Sequence, residues 1–544
     1  MKLNVPKSVS RRAFLAGSAV AAASTGMSLI GCSAPAPSSA AQSSASAQAT
    51  SASSAPSQTH MIRAAFAYAS TNYNPIGLNG GASTTMAATR HVFEALYDID
   101  PRTGVPYAAL AAGDPVQLSE TSYEIALRDE ARYSNGAYVT AADVVNAFEA
   151  NLANGTVGPL LDFIEAVAEK DERTVALTLK YPFEGLLESR LSLVKVFPAA
   201  LESQLSTMPV GSGPWAYLNG SLDGTRVISF EPNVHYNGPF PARADIMMWS
   251  IMDTSANMRV TALHDHAVQA AEAIPSQSVD RLERADVTVE YVQGFSQAFL
   301  MFNTLKRPFS DKRVRQALLY AIDVNRLIDE RLADRATPLT SFLPKGHPNY
   351  HRASTVYSYD PDLAKSLLAD AGYSSISLKL LVNNNWVSDL ADQIADDFKD
   401  VGVECIVKKE PIRWNEFGDT GEVLPYDVVL ASGDPSCFGN DPDLLLSWWY
   451  GDNIWTNGRS CWARDESGSF EEMQVLLQSA REAQPEDRQE FWNQCFDIIA
   501  DEVPLYGLFH RQLATGWQPS RIEGFKPLAT SGLNFLGCSV NPPE

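Results

Sequence analysis

The stretch from Ser377 to Val407 constrains the fold more than any other. Ser377–Leu381 alternates as a strand does, Leu390, Ile394, Phe398 and Val401 fall on one helical face, and Val403–Val407 reads as a second strand. A strand, a helix and a strand in so short a span make, most simply, a right-handed parallel crossover, which commits the chain to an α/β fold. Gly402 stands where a left-handed helix C-cap is wanted. Asp360-Pro361 offers an N-cap and a rigid first residue before Leu363, Leu367 and Ala371, with Gly372 as the stop. Thr140 and Asp143 form a capping-box variant ahead of Val144, Val145 and Phe148, and Val314, Ala317, Leu318 and Ala321 make another apolar stripe after Ser310-Asp311. Tyr123–Leu127 and Val227–Phe230 are hairpin-like, so strands and helices interleave throughout the body.

The N-terminus carries a different kind of information. Arg11-Arg12 precede a small apolar stretch from Ala16 to Ile30, the order of a twin-arginine export signal, and Leu29-Ile30-Gly31-Cys32 resembles a bacterial lipobox. Residues 1–31 are therefore expected to be a signal peptide and Cys32 the lipidation site. Residues 32–60 are mostly Ser, Ala, Gln, Pro and Thr, a composition suited to a flexible tether. The expected location is outside the cytoplasmic membrane, at the cell surface or in the periplasm, with membrane contact through the lipid on Cys32.

Lys+Arg 42 against Asp+Glu 64 gives a net charge of −22, and loss of Lys2, Lys7, Arg11 and Arg12 with the signal takes it to −26. Such a chain repels a polyanion, so nucleic acid is not an expected partner. The only long uncharged apolar run is at the N-terminus, which excludes a polytopic membrane protein. After Cys32, five cysteines remain: Cys405, Cys437, Cys461, Cys495 and Cys538. An odd number leaves at least one without an intrachain partner. Cys437 and Cys461 flank a loop-rich stretch and are the expected bridge, with connectivity open.

Seven segments then occur in an order that resembles the bacterial extracellular solute-binding proteins of family 5. They are Val92-Phe93-Glu94-Ala95-Leu96-Tyr97-Asp98, Leu127-Arg128-Asp129 with Tyr133-Ser134-Asn135-Gly136 and Thr140 to Val144, and Pro209 to Trp215. Phe302-Asn303-Thr304, Pro308 to Asp311 with Val314 to Asp323, Tyr359 to Tyr373, and Glu502-Val503-Pro504-Leu505 complete the series. The resemblance implies a periplasmic-binding-protein-like class II clamp of two α/β lobes plus an inserted third lobe. Lobe I would comprise 61–98, 204–294 and 505–544, lobe II the insertion 99–203, and lobe III 295–504. It also implies a non-enzymatic monomer without cofactor or metal, which closes on a peptide between lobes I and III and delivers it to the permease subunits of an ABC importer. Taken singly, Arg128, Arg315 and the glycines at 211 and 213 read as packing and turn residues.

A buried peptide amine needs a counter-charge. In peptide-binding relatives that acid follows a strand and precedes an Asp-Pro or Glu-Pro pair. Here Tyr426 to Gly433 is the strand, Asp434 the preferred amine partner, and Asp441 of Asp441-Pro442 the alternative, since Pro435–Asn440 looks like an insertion. Trp448, Trp449, Tyr450, Trp455 and Trp462 crowd into fifteen residues, with Trp386 and Trp414 in the same expected lobe. Of these, Trp386, Trp414, Trp448 and Trp449 are candidate ligand faces. Where dipeptide-binding relatives carry an arginine for the ligand carboxylate, this chain has Val382-Asn383-Asn384-Asn385-Trp386. Asn384 can donate hydrogen bonds without positive charge, and Arg413 is the candidate replacement.

Three other functions compete. An exported hydrolase is disfavoured because H-E-x-x-H and G-x-S-x-G are absent. A carrier of nickel chelate, sugar or another cationic solute shares the scaffold; so would an adhesin or sensor. His264-Asp265-His266 reads as a solvated segment, since two histidines without a third clustered ligand make a poor metal site.

Overall fold

The computed structural model describes residues 60–69, 72–78, 83–218, 226–383, 385–412, 414 and 426–541. Cys32, Asn384 and Arg413 lie outside the described residues, as do the export signal and nearly all of the Ser/Ala-rich segment.

The crossover forms as the periodicity requires. Ile376–Asn383 and Val403–Glu410 pair in parallel, from Ile376 opposite Val403 to Asn383 opposite Glu410, and the helix Ala391–Asp400 connects them. Ile394 and Phe398 on its inner face are wholly buried. Gly402 takes a φ of 84° and ends the helix. Asp360 accepts from the Leu363 amide at 2.9 Å. Thr140 and Asp143 exchange both hydrogen bonds of a capping box.

Among the described residues the main sheet has eleven strands. From one edge the order is Val403–Glu410, Ile376–Asn383, Val428–Gly433, Thr288–Phe302, Leu505–Trp517, Ala270–Glu272, Met61–Phe66, Ile246–Ile251, Val227–Pro232 and Trp215–Tyr217, with Ala336–Pro338 also pairing with Leu505–Trp517. Thr288–Phe302 and Leu505–Trp517 hold the two halves together. Thr288–Gln293 pairs with Gln512–Trp517, the end that also meets Ala270–Glu272, while Gln297–Phe302 faces Val428–Gly433. The register shifts between Gln293 and Gln297, so the ladder is broken where one half gives way to the other. A separate antiparallel sheet of four strands, in the order Val116–Ser119, Ser122–Ala126, Thr174–Leu179, Ile164–Asp171, is built within residues 116–179.

The signature segments meet in space. The Gly213 amide donates to the Val92 carbonyl at 2.9 Å, and Ser134 donates to the Gly211 carbonyl at 3.0 Å. A β-carbon on Gly211 would stand 2.0 Å from the Val92 oxygen, so only glycine fits. Arg128 grips the buried Glu94 with two hydrogen bonds of 3.1 and 3.2 Å. Arg315 is buried and donates to the Glu502 and Phe309 carbonyls, both at 2.8 Å, tying the helix Lys312–Ala321 to the segment before Pro504. These two arginines serve the fold.

Candidate functional site

The register break in Thr288–Phe302 opens onto a cavity of about 310 Å³, at the lower end of the range for small-molecule sites. Gln293, Gly294 and Phe295 form its floor. Around them stand the end of the helix Ser83–Val92, the loop 98–104, Ser192–Lys195, Pro344–Pro348, Ser436–Asn440 and Ala529-Thr530. Gly294 is pressed against the last of these, since a β-carbon there would lie 2.0 Å from the Ala529 carbonyl oxygen.

Asp434 closes the strand Val428–Gly433 and caps the turn Pro435–Cys437, whose Ser436 and Cys437 line the cavity. Its Oδ1 accepts from the Ser436 amide at 3.3 Å and hydroxyl at 2.5 Å. Its Oδ2 is buried and has no hydrogen-bond partner. Burial pushes the carboxyl up to about 6, outweighing Ser436, the Ser531 amide and Arg511, which all favour the anion.

Asp441 is differently employed. It caps the helix Pro442–Tyr450 through the Leu444 amide at 2.8 Å and lies 3.4 Å from Arg190, though its Oδ2 is also buried without a partner. Arg190 makes its shorter bond, 2.6 Å, to Asp443, which also receives Arg481 at 2.9 Å. Asp441 thus stands at the edge of a buried ion network, whereas Asp434 stands beside the cavity with an oxygen to spare.

The tryptophans divide. Trp449 is buried in an aromatic core with Phe295, Phe299 and Phe342, which removes it as a ligand face: its helix turns that side inward. Trp462 is also core, its indole N–H donating to Ser469 at 3.0 Å. Trp448 is half-buried and packs on Phe438, a cavity-lining residue, at 4.7 Å between ring centroids. Trp386 is half-buried beneath the Arg511 guanidinium, 3.9 Å from its ring, and Trp414 packs on Trp455 at 5.1 Å. Of the asparagine run, Asn385 is used locally, capping Val387 at 3.1 Å and donating to Ser432 at 3.3 Å.

The expected bridge between Cys437 and Cys461 does not form. All five described cysteines are free thiols. Cys437 donates to the Asp434 carbonyl at 3.1 Å, while Cys461 is turned to the Gly458 carbonyl at 3.8 Å.

Several charged residues at the site were not singled out by sequence. Arg90 and the ion pair of Lys195 with Asp98 line the cavity, and Arg511 sits close enough to Asp434 to favour its ionised form. Arg90 had a readable signal: it is the one arginine in the helix Ser83–Val92, where every other residue is buried.

Residues 105–469 match the model for bacterial extracellular solute-binding proteins, family 5 Middle. The chain belongs to this family. Its members are non-enzymatic transport components that bind solutes outside the cytoplasm. The chain is 27% identical to the glutathione-binding protein GsiB of Escherichia coli strain K12 over 486 residues, 86% of this chain and 91% of that one. The dipeptide binding protein of Pseudoalteromonas sp. SM9913 in complex with Met-Leu superposes with a TM-score of 0.75 at 19% identity, over 88% of this chain and all of that one. NikA of Staphylococcus aureus in complex with Ni(L-His)2 superposes at 0.73 and 18%, over 89% of this chain and all of that one. This is the periplasmic-binding-protein architecture.

Proposed function

We propose that this chain captures peptides in the cavity at the register break, closes over them, and hands them to the permease of an ABC importer as a monomer held to the membrane by a lipid on Cys32. Its lobes are 61–98 with 204–294 and 505–544, then 99–203, then 295–504. The observation that carries the peptide reading is Asp434: a carboxylate beside the cavity whose Oδ2 is buried and unpartnered. Burying such an oxygen costs free energy that a cationic amine recovers by ion pairing. Trp448, behind Phe438, stiffens the adjoining wall, and Trp386 packs beneath Arg511, whose charge favours the Asp434 anion.

The test is native mass spectrometry of freshly purified protein beginning at residue 33, followed by fragmentation of whatever is released. Peptide masses support the proposal; nickel chelate or sugar masses overturn the peptide reading and leave the carrier role. Hydrolysis of added peptide would overturn both.

A further inference from the structure

We propose that Arg90 is a carboxylate-binding subsite of the same cavity, placed so that a zwitterionic ligand spans it, with its cation at Asp434 and its carboxylate at Arg90. This rests on reading the cavity as the ligand site. Arg90 lies in the last turn of the helix Ser83–Val92, lines the cavity, and has a buried Nη1 without a hydrogen-bond partner.

The nearby acids are already engaged. Asp98 is paired with Lys195 and accepts from the Ala95 amide at 3.2 Å. Asp100 holds Arg102 through two bonds of 3.1 and 3.2 Å. Arg90 makes no ion pair among the described residues, although burial opposes its charge and Asp98 and Asp100 favour it only at a distance. A guanidinium cannot relieve this by losing its proton near neutral pH, so an anion compensates it best, and a carboxylate matches its planar donors.

The placement relative to Asp434 follows from Cys437. Cys437 lines the cavity together with Arg90, and its thiol donates to the Asp434 carbonyl at 3.1 Å. Arg90 and the turn that Asp434 caps therefore border the same cavity. Arg90 supplies the positive charge that the run Asn383-Asn384-Asn385 lacks.

The experiment uses pools of tri- to pentapeptides made as free acids and as C-terminal amides, with succinate as a carboxylate that is not a peptide. Each is titrated against the wild-type protein from residue 33, Arg90→Gln and Arg90→Lys, and read by thermal shift. The expected result is at least tenfold tighter binding of acid over amide in the wild type, loss of that preference in Arg90→Gln, and its partial return in Arg90→Lys. Equal binding of acid and amide by the wild type overturns the subsite and leaves the peptide reading intact, whether or not the variants fold. A response to succinate that Arg90→Gln lacks, without response to either pool, supports the subsite and overturns the peptide reading. No response to any probe overturns both.

Discussion

The Arg190 guanidinium donates to the Asp443 carboxylate at 2.6 Å across 253 positions of sequence, and both side chains are shut off from water, at 1% and 0% exposure. Arg190 comes from the helix Leu187–Leu191, Asp443 from Pro442–Tyr450, and Arg481 completes the pair from the far side at 2.9 Å. The two arginines hold the Asp443 carboxyl below its ordinary value even though burial acts the other way. On the proposed lobe boundaries this network joins lobe II to lobe III.

Arg190→Ala leaves one buried carboxylate short of a partner and is expected to cost about 3–5 kcal/mol of stability. Urea unfolding measures it. Small-angle scattering of the ligand-free variant should also show a larger radius of gyration than the wild type, because the contact between the two elements is lost. An unchanged midpoint and radius would show the pair to be incidental.

Gly294→Ala is expected to weaken ligand binding by tenfold or more, because its β-carbon would collide with the Ala529 carbonyl and displace Ala529-Thr530 from the cavity wall. Isothermal titration with the co-purified ligand checks this. Gly104→Ala is no control, since a positive φ already makes it strained. Gly113→Ala is the better one, as nothing lies within 4 Å of the added carbon.

Asp434 gives the empty protein a pH signature. Its carboxyl sits at about 6, above its ordinary 3.8. For an acid raised on folding, the folded state binds the extra proton, so the contribution is full below about pH 4, falls away as pH rises to about 6, and is flat beyond. The loss is on the order of 3 kcal/mol. Asp434→Asn should flatten the thermal-stability profile of the ligand-free protein in that window. An amine ligand requires the ionised form, so binding near pH 6 should release a proton, seen by calorimetry in buffers of different ionisation enthalpy.

Five free thiols are expected in the protein from residue 33, since each described cysteine is unpaired. Alkylation under denaturing, non-reducing conditions followed by intact mass measures the number. Three labels would establish a bridge, with peptide mapping to say whether it joins Cys437 to Cys461.

What the sequence disclosed about the fold was local. The crossover around Ala391–Asp400, the cap at Asp360 and the capping box at Thr140 each lie within a few residues, where periodicity and cap chemistry act. The site was less legible because its decisive facts are long-range. Nothing near Asp443 announces Arg190. Nothing in the run Trp448 to Trp462 distinguishes Trp449, folded into the core, from Trp448, behind the cavity wall. Cys437 and Cys461 suit a bridge by loop spacing, yet the turn capped by Asp434 aims the Cys437 thiol at the Asp434 carbonyl. Asp434 can be singled out as a candidate from its position after a strand, but its unpartnered oxygen is visible only in three dimensions.

The central claim is that Asp434 holds the amine of a bound peptide. Its most direct test compares affinity for one co-purified or selected peptide and its N-acetylated form, in the wild type and in Asp434→Asn, at pH 7.5. The account predicts that acetylation costs the wild type tenfold or more and costs Asp434→Asn little, a coupling of about 1.4 kcal/mol or greater. Equal losses on acetylation in the two proteins would contradict it.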